Sequence, residues 1–324
     1  MHSDRRDPGR PEDRPLVVCI VGPTAAGKTD VAIELVERFP CEIVSVDSAM
    51  VYRHMDIGTA KPGADILAVA PHALIDIRDP WESYSAGEFC IDARASIDAI
   101  HERGNIPLLV GGTFLYFHAL QFGLAPLPTA DAALRAEIDE RAEREGWSAL
   151  HQELARVDPQ AAERIRPTDR QRLQRALEVV MLTGEPISEL QKTGGEVPDY
   201  EFLRVALAPS DRAVLHARIE TRFQAMVDAG FFGEVERLMA MRQMSDACPA
   251  MRAVGYRQVW SHLAGEMARD EALRQAVVAT RRLAKRQLTW MRNGPDAREF
   301  DCLRRGVADD VAIRIAPRFR AVQA

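Results

Sequence analysis

A glycine-rich stretch near the N-terminus constrains the fold more than any other part of this chain. It reads Gly-Pro-Thr-Ala-Ala-Gly-Lys-Thr over residues 22–29 and fits the pattern G-x-x-x-x-G-K-[ST]. The apolar run 16–21 precedes it, and an amphipathic segment at 30–39 follows it. Strand, loop and helix in this order are the context in which the pattern forms a phosphate-binding P-loop. The sequence therefore predicts an α/β fold with a P-loop NTPase-like parallel sheet core.

The residue types of this loop explain how it would hold a phosphate. Backbone N–H groups converge on an anion at a helix N-terminus, where the helix dipole also favours negative charge. Lys28 is expected to contact the outer phosphate oxygens, and the Thr29 hydroxyl is expected to hold Mg²⁺. The predicted phosphate-binding residues are Gly22, Pro23, Thr24, Ala25, Ala26, Gly27, Lys28 and Thr29.

Composition excludes several classes of protein. The net charge of −6 argues against general polyanion binding, and the five cysteines form no C-x-x-C pair. No apolar run approaches the ~20 residues of a membrane span. The charged, proline-rich start, residues 1–14, predicts a disordered tail without a secretion signal. These features together predict a cytoplasmic protein.

A carboxylate follows the second predicted strand. Residues 42–46 are apolar and β-branched enough to form a buried strand, and Asp47 comes directly after them. Ligands of open parallel sheets bind beyond the carboxyl ends of the strands, so Asp47 is expected in the same crevice as the P-loop. A turn or capping role is the alternative for this carboxylate. The polar and aromatic loop at 50–62 is predicted to face the substrate.

Another predicted strand, residues 106–110, ends at Gly111-Gly112-Thr113. Small residues here allow the backbone to approach a ligand, and Thr113 offers a hydroxyl. P-loop ATPases usually place an aspartate after such a strand to help hold Mg²⁺. Glycine at this point therefore disfavours a standard ATPase.

The sequence pattern changes at residue 124, and no strand pattern returns before Phe202. We predict an α/β core at 15–123 and 199–300, an all-helical insertion domain at 124–198, and a C-terminal tail at 301–324. In the insertion, Arg172 and Arg175 lie at i and i+3 and are predicted to share one helix face. A solvated basic face is the alternative to a contact with RNA.

The C-terminal half concentrates positive charge. Residues 252–292 hold nine basic and three acidic side chains, a local charge of +6 in a chain of net charge −6. Tyr256, Trp260, His262 and Trp290 are interleaved with them. Basic and aromatic residues on one surface suit single-stranded nucleic acid, with an ordinary charged helix face as the alternative.

Six stretches together resemble the bacterial tRNA dimethylallyltransferases, which prenylate adenine 37 beside the anticodon. They span nearly the whole chain in the order found in that family. They are GPTAAGKT at 22–29, DSAMVY at 47–52, MDIGTAKP at 55–62, GGTFLY at 111–116, QRLQRALEV at 171–179 and VGYRQ at 254–258, with Lys285-Arg286-Gln287 following.

The resemblance implies that the P-loop holds dimethylallyl diphosphate rather than ATP, with Mg²⁺ as cofactor and tRNA as partner of a monomeric enzyme. Asp47 matches the general base of the family. Lys28, Thr29 and Arg222 match the groups that stabilise the leaving diphosphate, although Arg218 lies one turn from Arg222. The positions that match tRNA contacts are Asp47, Ser48, Ala49, Met50, Thr113, Arg135, Gln171, Arg172, Leu173, Gln174, Arg175, Arg252, Ala253, Val254, Gly255, Tyr256 and Arg257.

Two other functions fit part of the sequence. A P-loop small-molecule kinase would use Asp47 to accept a hydroxyl proton and would consume ATP without tRNA. A nucleic-acid-binding ATPase would bind RNA in an ATP-dependent manner and transfer no prenyl group. The glycine pair after Val110 and the basic, aromatic C-terminal half argue against the kinase.

Overall fold

A computed structural model describes residues 14–323, with side chains up to residue 320. Residues 1–13 of the tail predicted to be disordered lie outside this range. Contacts divide the chain into two compact units, Met1–Phe117 with Asp199–Ala324 and His118–Pro198. We call them the sheet unit and the helical unit. The helical unit begins at 118, where the insertion was predicted to begin at 124, and both end at 198.

One parallel sheet of six strands forms the centre of the sheet unit, in the order β3-β2-β4-β1-β5-β6. The first strand is buried along its whole length, as expected for a parallel strand covered on both faces. These observations confirm the predicted α/β fold. The strands are β1 Leu16–Val21, β2 Cys41–Val46, β3 His72–Ala73, β4 Ile106–Gly111, β5 Glu201–Ala208 and β6 Arg298–Asp301.

Helices fill most of the remaining chain, and within residues 14–323 none is both long and apolar enough to cross a membrane. In chain order they are α1 Lys28–Arg38, α2 Ala64–Val69, α3 Ala86–Glu102, α4 Phe114–Phe122, α5 Ala132–Glu145, α6 Trp147–Val157, α7 Pro159–Arg164, α8 Arg170–Thr183, α9 Ile187–Leu190, α10 Arg212–Asp228, α11 Phe231–Met239, α12 Tyr256–Leu263, α13 Arg269–Asn293 and α14 Val307–Gln323.

The last helix belongs to the main core. Val311, Ile315 and Phe319 on α14 are buried, and the ring of Phe319 lies 4.8 Å from that of Phe39 at the end of α1. Their i, i+4, i+8 spacing is typical of the apolar stripe of an amphipathic helix. Residues 307–323, which lie in the predicted C-terminal tail, are therefore a folded part of the sheet unit.

A second apolar cluster joins α10, α11, α12 and α13 to the loop that follows β2. From the loop it takes Val51, Tyr52 and Met55, and from the helices it takes large side chains such as Phe231 and Tyr256. The loop at 50–62 is therefore packed against the C-terminal helices of the sheet unit.

The helical unit has its own core. Ile138, Leu150, Leu154 and Leu177 lie in it, and all are almost fully buried. Helices α5 and α6 are separated at Gly146, whose φ of 84° continues neither helix. Such a positive φ favours glycine.

Candidate active site

The glycine-rich loop has the backbone of an anion site. Ala25 and Gly27 have positive φ angles of 63° and 75°, and α1 begins directly after the loop at Lys28. The Lys28 ammonium folds back over the loop, where it donates to the carbonyl oxygens of Gly22 at 3.1 Å and Pro23 at 2.8 Å. An anion bound by the amides of the loop would therefore meet this charge.

A glutamine of α13 holds the loop in place. The Gln287 side chain accepts a hydrogen bond from the Thr24 amide at 2.9 Å and donates one to the Gly112 carbonyl at 2.9 Å. A Cβ on Gly112 would lie 2.3 Å from Gln287 Nε2, and one on Gly111 would lie 2.0 Å from the Val46 carbonyl. The space beside these two glycines is therefore taken by protein rather than left for a ligand.

The predicted base lies in a tight turn after β2. Asp47 Oδ1 accepts from the amides of Ala49 at 2.8 Å and Met50 at 3.2 Å. The Ser48 amide donates to Thr113 Oγ1 at 3.1 Å, which ties this turn to the end of β4. Within residues 14–323, Oδ2 of Asp47 has no hydrogen-bond partner, so one oxygen orients the carboxylate and the other is open.

Two cations share the neighbourhood of this carboxylate. Burial lowers the pKa of Lys28 to about 8; Asp47 opposes this shift, and Arg222 adds to it. Burial also lowers the pKa of Arg222, against the charges of Asp47 and Asp30. Arg222 makes no hydrogen bond or ion pair with any residue in 14–323. Two enclosed cations, one without a partner, make the crevice suitable for a strongly charged anion.

The structure distinguishes the two arginines of α10. Arg218 donates to the Cys302 carbonyl at 3.1 Å and is therefore engaged at the end of β6. Arg222 interacts instead with the charges of Lys28 and Asp47. Of the two, Arg222 is the one whose charge acts on the lysine of the glycine-rich loop.

In the helical unit, a buried glutamate holds two of the predicted tRNA contacts. The Glu178 carboxylate accepts from Arg135 at 2.8 and 3.0 Å, from Arg175 at 2.6 Å and from the Asp131 amide at 2.9 Å. Burial alone would raise the pKa of Glu178, but the hydrogen bonds from the arginines outweigh it and lower the pKa. Arg175 also donates to the Pro128 carbonyl at 2.7 Å. Much of the hydrogen-bonding capacity of both arginines is therefore used within the unit.

The other predicted contacts on α8 differ in exposure. Leu173 is fully buried in the core of the helical unit, so its side chain packs there and is not exposed to a ligand. Gln174 donates to Asp139 at 2.7 Å. Gln171 and Arg172 are exposed, and Arg172 keeps 74% of its side-chain surface while its nearest ion-pair partner, Asp169, lies at 3.5 Å.

Residues of the last predicted segment, 252–257, also differ in exposure. Arg252 and Arg257 are exposed, whereas Tyr256 is fully buried and donates its hydroxyl to Glu234 at 2.6 Å. The Tyr256 side chain is therefore not exposed to a ligand, and the predicted RNA contact at this residue stays a prediction. Gly255 is buried with a φ of 95°. The two half-buried positions are Ala253 and Val254.

Comparisons with known proteins agree with these features. A model of the family described as IPP transferase matches residues 50–294. A tRNA dimethylallyltransferase from Thiobacillus denitrificans is 55% identical over 93% of this chain and 95% of its own length. Another from Ralstonia nicotianae is 52% identical over 93% and 96%.

Solved structures agree as well. The full-length tRNA isopentenylpyrophosphate transferase from Bacillus halodurans is 36% identical, with a TM-score of 0.67 over 96% of this chain and 98% of its own. The resemblance inferred from the six stretches is thereby confirmed. The chain belongs to the IPP transferase family, that of the tRNA dimethylallyltransferases.

Proposed function

We propose that this protein transfers the dimethylallyl group of dimethylallyl diphosphate to the exocyclic N6 amine of adenine 37, next to the anticodon of a tRNA. The observation that carries this proposal is that Lys28 of the P-loop, Arg222 and Asp47 lie close enough for their charges to act on one another, while one oxygen of Asp47 is open. The names of the relatives support the same reaction.

Asp47 has the geometry of a general base. The amine nitrogen attacks the allylic carbon, the bond from that carbon to the diphosphate oxygen breaks, and the amine loses one proton. Oδ2 of Asp47 takes this proton, while Oδ1 stays fixed by two backbone amides. The lone pair of this amine is delocalised into the ring, so removal of its proton matters. The adenine must leave its stack to reach Asp47, and that costs less in a loop than in a duplex.

The leaving diphosphate needs fixed positive charge. The P-loop amides would hold it, with Lys28 and Arg222 beside the oxygens on which charge develops. Neither cation makes an ion pair within residues 14–323, so neither must break one in order to bind the anion.

Mg²⁺ fits the donors at this site. Within residues 14–323, no group of three or more His, Cys, Asp or Glu side chains is placed to hold a metal. Mg²⁺ that is shared with a diphosphate needs only one or two protein oxygens besides phosphate and water, and Thr29 offers a hydroxyl at the first turn of α1. When bound there, the ion would neutralise part of the charge on the diphosphate.

One assay tests the reaction. The purified protein, incubated with tRNA and labelled dimethylallyl diphosphate, is expected to label the tRNA and release pyrophosphate, with or without ATP. Release of phosphate from ATP in step with tRNA modification would contradict the proposal and favour a kinase. Lys28→Ala is expected to weaken use of the donor.

Binding of the donor is expected to depend on the charge of Lys28. Because the pKa of this lysine is about 8 in the free protein, raising the pH through 8 removes a charge that the diphosphate requires. Binding then takes up a proton, and the dissociation constant should rise by up to about tenfold per pH unit. Titrations with dimethylallyl diphosphate between about pH 7 and 9.5 measure this, and Lys28→Met should bind weakly without this pH dependence. A wild-type affinity that stays constant across pH 8 would contradict it.

Of the two predicted arginines of α8, Arg172 is the more exposed, and its side chain is free to meet a tRNA phosphate. We expect Arg172→Ala to weaken tRNA binding and to lower the slope of log affinity against log salt by about one unit. Binding titrations at several salt concentrations measure this. Arg144→Ala on α5, which removes an arginine of similar exposure outside the predicted set, is the matched control. An unchanged slope for Arg172→Ala would make that helix face an ordinary solvated one.

A further inference from the structure

One buried carboxylate connects two segments of the sheet unit that both carry exposed residues. Glu234 on α11 is only 2% exposed. Its Oε2 accepts from the amides of Asp56 at 2.9 Å and Ile57 at 2.7 Å. Its Oε1 accepts from the Gly58 amide at 3.1 Å and the Tyr256 hydroxyl at 2.6 Å. Glu234 therefore joins the loop after β2 to the start of α12.

This carboxylate depends on the loop for its own solvation. A buried carboxylate is costly unless a cation or several hydrogen-bond donors satisfy it. Within residues 14–323, no Lys, Arg or His makes an ion pair with Glu234. Four uncharged hydrogen-bond donors satisfy its carboxylate instead. Three of them are successive backbone amides, an arrangement that forms a concave anion site. Glu234 and the loop thus stabilise each other.

The loop does not adopt this shape by local preference. His54 and Ala60 have positive φ angles of 65° and 53°, which non-glycine residues rarely adopt. Gly58 lies so close to the helices that a Cβ there would be 2.2 Å from Phe231 Cε2. Contacts from outside the loop therefore add to the hydrogen bonds within it, as strained segments at functional sites require.

The catalytic end of the loop is held by other bonds. The amide of Asp76 donates to the Met50 carbonyl at 3.2 Å, and the amide of Ile77 donates to that of Val51 at 2.9 Å. These contacts lie between Asp47 and the residues that Glu234 binds. Loosening residues 54–60 therefore leaves Asp47 in place.

We propose that Glu234 is a positioning residue for RNA. By holding both segments, it fixes exposed His54 relative to exposed Arg252 and Arg257, so that the two segments meet the substrate as one preformed surface. This inference rests on the proposed function, because it takes tRNA as the ligand of that surface.

Glu234→Gln tests the proposal. A glutamine offers one acceptor oxygen and turns its NH₂ donors toward the loop amides. The loop conformation that Glu234 stabilises should therefore be less populated. If about a tenth of the molecules keep that conformation, the KM for tRNA and its dissociation constant rise about tenfold. The kcat at saturating tRNA and the KM for dimethylallyl diphosphate should stay within about twofold. The matched control is Glu236→Gln, the same change at an exposed position of α11.

Hydrogen exchange gives a second readout. In Glu234→Gln, but not in Glu236→Gln, the peptide containing residues 56–58 should exchange faster than in the wild type. If Glu234→Gln does not fold, Tyr256→Phe, which removes one of the four donors, should raise the dissociation constant for tRNA by about threefold.

Two results would overturn the proposal: an unchanged KM for tRNA, whether or not kcat falls, or an equal loss of affinity for donor and tRNA that accompanies a lower melting temperature. Wild-type protein that binds tRNA but transfers no prenyl group would refute the proposed function alone. The comparison of tRNA affinity between the two glutamine variants would still stand.

Discussion

Replacing Asp47 with asparagine is expected to lower the rate of prenyl transfer by about two to four orders of magnitude, while tRNA affinity stays within about tenfold. The amide cannot take the proton of the adenine amine. Its oxygen can still accept from the amides of Ala49 and Met50, so the turn should keep its shape. The measurement is the single-turnover rate with tRNA and donor both saturating.

Asp30→Asn separates loss of the base from loss of charge. Asp30 is an exposed carboxylate in the first turn of α1, and its charge, like that of Asp47, acts on Arg222. We expect this variant to retain activity within a few-fold. It removes one negative charge near Arg222, as Asp47→Asn does, but it leaves the proposed base in place. If Asp47→Asn turned over at a rate near that of the wild type, another group or water would be the base.

The predictions of backbone structure made from the sequence were reliable where the elements are contiguous in the chain. The P-loop, the strand before it and the helix after it are contiguous, so the pattern at 22–29 predicts backbone geometry directly. Asp47 follows its strand immediately, and in a parallel sheet the end of one strand lies beside the end of the next. Neither prediction required contacts between distant parts of the chain.

Residues that act across long separations were not predicted. Gln287 and Thr24 are 263 positions apart, and Glu234 and Gly58 are 176 apart. A single glutamine or glutamate in a helix has the same local pattern whether it is buried on a distant loop or exposed to water. No role was predicted for Glu178 within its matching stretch, since a charged residue in a charge-dense helix is usually exposed.

The stretches that match the family contain both residues that pack in the core and residues that are exposed to a ligand. Leu173 and Tyr256 lie within stretches that resemble the family, yet both side chains are fully buried. A stretch can be retained because its residues pack, because they contact a ligand, or for both reasons. Exposure separates these roles, which is why Arg172, Arg252 and Arg257 remain candidates for RNA contacts.

Removing the guanidinium of Arg222 should slow prenyl transfer by about 10²- to 10³-fold, the usual effect of losing one fixed group that stabilises a developing anion. Arg218→Ala is the matched control, one turn away on the same helix. Because Arg218 donates to the Cys302 carbonyl, its loss should affect stability more than rate. Rates at saturating donor and tRNA, with melting temperatures for both variants, make the comparison.

The charge of Arg222 also acts on Lys28, which gives the same pair of variants a second test. Arg222 lowers the pKa of Lys28, so Arg222→Ala should raise it and move the loss of donor affinity to a pH above 8. Arg218 does not contribute to the Lys28 shift, so Arg218→Ala should leave that pH dependence unchanged. If Arg222→Ala were slow but lost donor affinity at the same pH as the wild type, Arg222 would not act through the charge of Lys28. If Arg218→Ala were the slower variant, Arg218 would be the arginine that stabilises the diphosphate. Only a group beside the developing charge changes the barrier to prenyl transfer by the amount expected here.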